Sequence, residues 1–378
     1  MIFSIEKDIL SDYLTIIQKG LPVKNTMPIL MGIKLEVLTD KIVLTSNNSD
    51  IAVKAIINKE KVVDIKETGA VVIPGSFFIE IVRKITSRVI EVALFEDTIL
   101  TIKADRSEFK LRVMEVLDYP RVDFVDQNKA IELDVKTIKA IHRETAFAAA
   151  LNEKRPIITG INLRSDGNNL ICTATDSFRL AQKTLALNES VEPFNITVPS
   201  KSFALLAASL DSFGENISIF TSINKILFKI DEIYFQSRLL DGAFPDITRL
   251  IPSEFPIIVK FNKEELIAAL DRVSLFASKE KDMNQNVIKF HLRIDHVVEI
   301  TSTNNEIGDA LEEVIPCDTV YGPVIKIAFS SKYLVDSLKS FNSSEVSLNF
   351  TGEIKPFIIK AEHDQSLINL ILPVKIDQ

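Results

Sequence analysis

Apolar and polar residues alternate in short runs along most of the chain. Residues 34–38, 42–45, 51–57, 89–95 and 98–104 alternate or run apolar and are rich in β-branched side chains, with Asp or Asn at the turns. Such runs predict antiparallel strands with turns between them. Two stretches keep a longer period. Residues 7–19 place Ile9, Leu10, Tyr13, Leu14 and Ile17 on one stripe, and residues 76–85 do the same with Phe78, Ile81, Val82 and Ile85. This i, i+3, i+4 spacing packs a helix onto a sheet.

The order of elements occurs three times. Phe3-Ser4-Ile5-Glu6, Ile131-Glu132-Leu133-Asp134 and Val259-Lys260-Phe261-Asn262 each lead an alternating run into a helical pattern, and their starting positions are evenly spaced. Thr45-Ser46-Asn47-Asn48, Thr173-Ala174-Thr175-Asp176 and Thr301-Ser302-Thr303-Asn304 follow apolar runs at the same spacing. The starts of the second helices, Pro74-Gly75-Ser76, Pro199-Ser200-Lys201 and Ser330-Ser331-Lys332, drift slightly from it, as small loop insertions explain. Phe109-Lys110-Leu111-Arg112, Phe235-Gln236-Ser237-Arg238 and Leu367-Ile368-Asn369-Leu370 close the three units.

Helical patterns at 137–147, 200–210, 263–276 and 331–341 complete the set. Each third is therefore expected to be an α+β unit with two helices packed on antiparallel sheets, giving six helices in the chain. Turn-rich stretches at 118–129 and 241–256, where Pro120, Pro245, Pro252 and Pro256 fall, mark the joints. The expected domains are 1–127, 128–254 and 255–378.

The composition, 46% hydrophobic and 25% charged, is that of an ordinary globular chain. A formal charge of −8 argues against a protein that grips nucleic acid over its whole surface, while leaving room for a local basic lining. Cys172 and Cys317 form no CxxC pair, so disulfides and cysteine-rich zinc sites are not expected. The segment 1–20 lacks the basic and apolar regions of a leader, which leads to an expectation of a cytoplasmic protein. No GxGxxG, GK[ST], HExxH or GxSxG occurs. Neither a catalytic constellation, a metal site nor a cofactor is expected. The loop Asp241-Gly242-Ala243-Phe244-Pro245-Asp246 reads as a turn rather than a metal loop. On these grounds alone, a three-unit scaffold or ligand-binding repeat protein that does not encircle DNA stays open.

Thr26-Met27-Pro28-Ile29-Leu30, Ala174-Thr175-Asp176-Ser177-Phe178-Arg179-Leu180, Leu240-Asp241-Gly242-Ala243-Phe244-Pro245-Asp246 and Leu372-Pro373 together resemble the beta subunit of bacterial DNA polymerase III, the sliding clamp, over the whole chain. The resemblance implies the DNA clamp fold and a ring-shaped head-to-tail homodimer without catalytic activity. The ring encircles double-stranded DNA irrespective of sequence and tethers the replicative polymerase. It also implies a clamp loader, repair polymerases and other proteins with clamp-binding motifs as partners, and no membrane.

Retention by enclosure needs only weak phosphate contacts. By the resemblance these come from Lys24, Arg83, Lys84, Lys139, Arg143, Asn152, Arg155, Lys201 and Arg272, of which Lys24, Asn152 and Lys201 match the family's positions best. Each could instead be a solvated charge on a helix face. The implied partner-peptide cleft comprises Ile158, Thr175, Phe178, Arg179, Leu180, Pro245, Leu250, Ile371, Leu372, Pro373, Val374 and Ile376, residues that without the resemblance read as interdomain core. The implied dimer contact joins Phe109 and Leu111 to Leu275 and Phe276. The chain departs from the family pattern at Phe178, commonly His, at Pro156 and Ile157, and in the Asp377-Gln378 extension.

Overall fold

The computed structural model describes residues 1–24, 27–124, 129–152, 154–210, 213–247, 250–277, 286–304 and 306–375. The first third contains β1 (Ile2–Glu6), α1 (Lys7–Ile17), β2 (Gly32–Val37), β3 (Lys41–Asn47), β4 (Ile51–Asn58), β5 (Val62–Glu67) and β6 (Gly69–Pro74). It ends with α2 (Gly75–Lys84), β7 (Val89–Phe95), β8 (Ile99–Ala104) and β9 (Ser107–Arg112). The second runs β10 (Ile131–Asp134), α3 (Val135–Thr145), β11 (Gly160–Ser165), β12 (Asn169–Thr175), β13 (Arg179–Ala186) and β14 (Phe194–Pro199). Then come α4 (Ser200–Ala207), β15 (Asn216–Thr221), β16 (Lys225–Ile230) and β17 (Ile233–Arg238). The third has β18 (Ile257–Asn262), α5 (Lys263–Val273), β19 (Val287–Leu292), β20 (Val298–Asn304), β21 (Gly308–Val314) and β22 (Ile325–Ser330). It closes with α6 (Ser331–Ser340), β23 (Glu345–Phe350), β24 (Phe357–Ala361) and β25 (Asp364–Ile371).

The first helix of each third ends two or three residues before its predicted limit. It stops at Ile17, Thr145 or Val273 and tightens into a 3-10 turn at Gln18–Gly20, Ala146–Ala148 or Ser274–Phe276, the usual way a helix end satisfies its last carbonyls. The strands read from the first third leave out β5 and β6. Both are edge strands; β5 has a mostly exposed, charge-rich face and so needs no apolar alternation, while β6 is a short buried apolar run between Gly69 and Pro74.

By its contacts the chain divides into two compact units. One unit is Met1–Lys139 with Lys201–Leu239. It holds an eight-stranded sheet, β10-β15-β16-β17-β4-β3-β2-β6, and a five-stranded sheet, β5-β1-β7-β8-β9. Its core includes Phe3, Leu10, Leu44, Phe78, Phe203 and Phe228, the last two ring edge to ring face at 5.9 Å. The other unit is Ala140–Ser200 with Leu240–Gln378. It holds an eight-stranded sheet, β14-β11-β12-β13-β25-β24-β23-β18, and a four-stranded sheet, β21-β20-β19-β22. Phe261, Phe290, Phe329, Phe350 and Phe357 interlock in its core. Each eight-stranded sheet thus joins four strands of the middle third to four strands of an outer third, through β17–β4 in one and β13–β25 in the other.

The repeated Thr/Ser/Asn motif has a physical purpose. Asn48, Asp176 and Asn304 each accept backbone N–H groups two and three positions on, closing an Asx turn between paired strands. The buried Ser46 hydroxyl donates to the Ile17 carbonyl, and Ser302 donates to Val273, both at 2.6 Å. These bonds satisfy helix-end carbonyls that would otherwise be orphaned inside the protein. Helix starts repeat as well. Asp134 and Asn262, at equivalent positions of the second and third repeats, accept the first N–H groups of α3 and α5.

Candidate partner-binding cleft

The Asp176 turn is the foundation of the candidate cleft. Ser177 takes a left-handed conformation at φ 77, which swings Phe178 outward to 42% exposure. The Phe178 carbonyl accepts the Leu372 N–H at 2.9 Å, and pairing of β13 with β25 sets Arg179 opposite Ile371 and Leu180 opposite Leu370. Leu180, Ile358 and Leu370 form a buried apolar floor on which Ile247, Ile251, Phe255, Ile368 and Leu372 pack. Among the expected cleft residues, Ile158, Leu180 and Ile371 are buried, Pro245, Leu372, Pro373 and Val374 are half-buried, and Phe178 and Leu250 are exposed. Ile376 lies outside the described residues. The Thr175 hydroxyl donates to the Arg179 carbonyl at 2.7 Å, so it closes the turn.

Arg179 is only 8% exposed. Its Nε donates to Asp176 Oδ2 at 3.0 Å and its Nη1 to Asp336 Oδ2 at 2.6 Å, while the guanidinium carbon stands 4.4 Å from the Tyr333 ring centre and 5.4 Å from that of Phe147. The planar fork thus braces the cleft turn against α6. Arg179→Ala should lower the unfolding free energy by roughly 2–3 kcal/mol, because two carboxylates lose a charge-assisted partner. Arg179→Lys should recover only part of that loss in a denaturant titration, since an ammonium cannot reproduce the fork and the ring stacking.

Sequence inspection misses Phe147, Tyr333 and Asp336 as partners of Arg179, and Ile247, Ile251 and Phe255 as the cover of the floor. The isoleucines are a signal, being apolar residues in a stretch that otherwise reads as a turn. A second buried ion cluster lies nearby on β13. Lys183 Nζ is 2.8 Å from Glu144 Oε2 and 3.2 Å from Asp364 Oδ2, and Arg143 Nη2 donates to Glu144 Oε1 at 2.5 Å. Glu144 Oε2 receives no aligned donor, so its contact with Lys183 is a charge contact.

The candidate DNA-contact residues are not equally available. Lys24, Arg83, Lys84, Asn152, Arg155 and Lys201 are exposed, and Arg83 donates to Gln18 at 2.7 Å. Lys139 is half-buried and has a partner. Arg143 is tied to Glu144, and Arg272 makes a two-pronged bond to Glu312 at 2.7 and 2.9 Å. That pairing raises the Arg272 pKa further above its ordinary value. Of the expected dimer residues, Phe109 and Leu111 lie on edge strand β9, with Phe109 on the exposed side. Leu275 is exposed and Phe276 half-buried in the turn after α5. No helix among the described residues is long and apolar enough to cross a membrane.

Three successive sheet-and-helix repeats, with an open edge strand at β9 and another at β21, define a DNA sliding clamp by fold. The models of the DNA polymerase III beta subunit match in order: the N-terminal domain at residues 1–123, the central domain at 132–246 and the C-terminal domain at 248–375. The chain is 38% identical to the beta sliding clamp of Staphylococcus epidermidis and 39% identical to that of Staphylococcus aureus, each over 99% of both chains. The crystal structure of the Bacillus subtilis DNA polymerase sliding clamp superposes with a TM-score of 0.94 at 34% identity, covering 100% of both chains. The beta subunit from the DNA polymerase of Streptococcus pyogenes gives 0.94 at 31%, again over 100% of both. The chain belongs to the DNA polymerase III beta subunit family.

Proposed function

We propose that two copies of this chain close head to tail through β9 of one and β21 of the other, forming a ring around duplex DNA. The protein is a processivity factor and does no chemistry of its own. It holds a DNA polymerase on its template by enclosure. Within this reading the domains are 1–127, 128–254 and 255–378, and exposed cationic and amide side chains, with Lys24, Asn152 and Lys201 foremost, make loose phosphate contacts. The apolar cleft at Leu180 and Leu372 receives linear motifs from the replicative polymerase, the clamp loader and repair polymerases. The ring works in the cytoplasm.

One observation carries the assembly. The fold uses the same kind of strand junction twice inside the chain, β17 on β4 and β25 on β13, and leaves one further partner strand of each kind unpaired, β9 and β21. The register follows by equivalence. Thr45 faces Lys54, Thr173 faces Gln182 and Thr301 faces Leu311, while Ile102 faces Phe109, Phe228 faces Phe235 and Ile359 faces Asn369. Since Val53 pairs with Phe235 and Ala181 with Asn369, Phe109 of one copy meets Ala310 of the other. Lys110 then meets Asp309, and Leu111 meets Gly308. A Cβ on Gly308 would stand 4.0 Å from the Phe276 ring, so Phe109 and Leu111 arrive beneath the turn that carries Leu275 and Phe276.

Closed rings predict a topological signature. Protein loaded on nicked circular DNA should survive a high-salt wash and be lost when the circle is linearised, because salt weakens phosphate contacts but cannot release an enclosed polymer. Equal loss from circular and linear DNA would overturn the reading.

A further inference from the structure

Two pockets in the chain are the same pocket built twice. In the first unit, one of about 670 Å³ is lined by Lys34, Glu36, Thr45 and Lys54 under the segment 116–124. In the second unit, one of about 550 Å³ is lined by Asn162, Arg164, Thr173 and Gln182 under residues 244–247 and 251–253. These four sheet positions correspond one to one under the repeat that relates Thr45 to Thr173. What differs is their chemistry and what lies next door.

The second pocket adjoins the apolar cleft. Ile247 and Ile251 line the pocket and also pack on the floor at Leu180 and Leu370, so a peptide leaving the cleft along this wall enters polar surroundings. Most of the polar groups there are already engaged. Asn162 Nδ2 donates to Asn195 Oδ1 at 2.7 Å and to the Ile196 carbonyl at 3.0 Å, and Gln182 Nε2 donates to Thr173 Oγ1 at 3.2 Å. Asp246, the acidic member of the lining, has a partner of its own. The exposed Arg164 guanidinium makes neither a hydrogen bond nor an ion pair with any described residue. It exerts a weak pull on Asp166, whose carboxylate already accepts the Asn168 and Asn169 N–H groups. At the matching position of the first pocket stands Glu36, which Lys34 neutralises at 2.9 Å. The first pocket also borders an apolar cluster, at Val116 and Tyr119, but its cations Lys34, Lys54 and Arg121 are engaged by Glu36, by the Phe124 and Tyr234 rings and by Asp123. Of the two, the second pocket therefore offers the uncommitted guanidinium, which is best matched by a carboxylate.

We propose that this pocket takes the acidic residues flanking the apolar anchor of a partner peptide, with Arg164 pairing to the carboxylate. The inference rests on the cleft being the peptide site and adds a selectivity to it: anchors in the cleft give most of the affinity, and Arg164 discriminates among flanks.

The test uses fluorescein-labelled decapeptides with one Leu and one Phe anchor, carrying an Asp-Glu pair on either side of the anchors or Asn-Gln in its place. Binding to the full-length dimer is read by anisotropy. One acidic-flank peptide should bind about threefold to fivefold more tightly than its neutral counterpart, the range for a partly exposed ion pair, and the advantage should shrink with added salt. Arg164→Glu, which copies the first pocket, should abolish the advantage while binding the neutral peptide as the parent does. An advantage that persists in Arg164→Glu, or is absent from the parent, overturns the proposal. If neither peptide binds, or if Leu372→Asp leaves both affinities unchanged, the cleft reading itself falls, and the flank proposal falls with it.

Discussion

A chain carrying Phe109→Asp and Leu111→Asp should run as a folded monomer in light scattering at concentrations where the parent is a dimer. The two carboxylates would be desolvated against Ala310 and Gly308 beneath Phe276, with no cation facing them in the proposed register. A penalty of about 3 kcal/mol weakens association more than a hundredfold. Because β9 is an exposed edge strand, the monomer should keep its far-ultraviolet signature. The register has its own check. Lys110→Cys combined with Asp309→Cys should give a covalent dimer on oxidation, whereas Lys110→Cys with Leu311→Cys should not, since a two-residue slip puts the Cα atoms beyond the reach of a disulfide. A dimer that withstands the double aspartate variant would remove β9 from the interface.

Lys183→Ala should be the most damaging single change to stability, costing about 3–5 kcal/mol, the usual range for breaking a buried ion pair from one side. The side chains of Lys183 and Glu144 are 10% and 4% exposed, so truncating the lysine leaves a buried carboxylate beside β13 held by the half-exposed Arg143 alone. Lys183→Met together with Glu144→Gln should recover most of that loss, because the two buried charges vanish together and the charges that lose a partner, Arg143 and Asp364, are 49% and 39% exposed. Chemical denaturation of the two variants decides it, and equal instability would show that packing, not charge, is at stake. Asp364 adds a pH dependence. Burial alone would raise its pKa, but the Ser366 hydroxyl and the Lys183 ammonium hold it below the usual carboxylate value. A depressed carboxylate contributes stability above its unfolded pKa of about 3.9 and loses it as the pH falls through the folded value. Lys183→Ala should narrow this acid-dependent step.

The candidate cleft is half legible in the chain. Leu180, Ile371 and Leu372 could be named, yet their apolar character alone could not separate a binding floor from core, and Leu180 and Ile371 are in fact buried. Arg179 could be named among the cleft residues by resemblance, but nothing in the local sequence points to its partners. Only the fold brings Asp336 and Tyr333, from a distant repeat, against its guanidinium, because the pairing of β13 with β25 delivers that part of the third repeat to the second.

Residue patterns by themselves determined the triplication, the two helices of each repeat and the Asx turns, since each depends on spacings of a few side chains and local backbone hydrogen bonds. The tertiary structure decided which strands remain edges, which charges are already spent on neighbours, and which of two equivalent pockets keeps an uncommitted cation. Those outcomes follow from long-range strand pairing, and strand pairing leaves little trace in local periodicity.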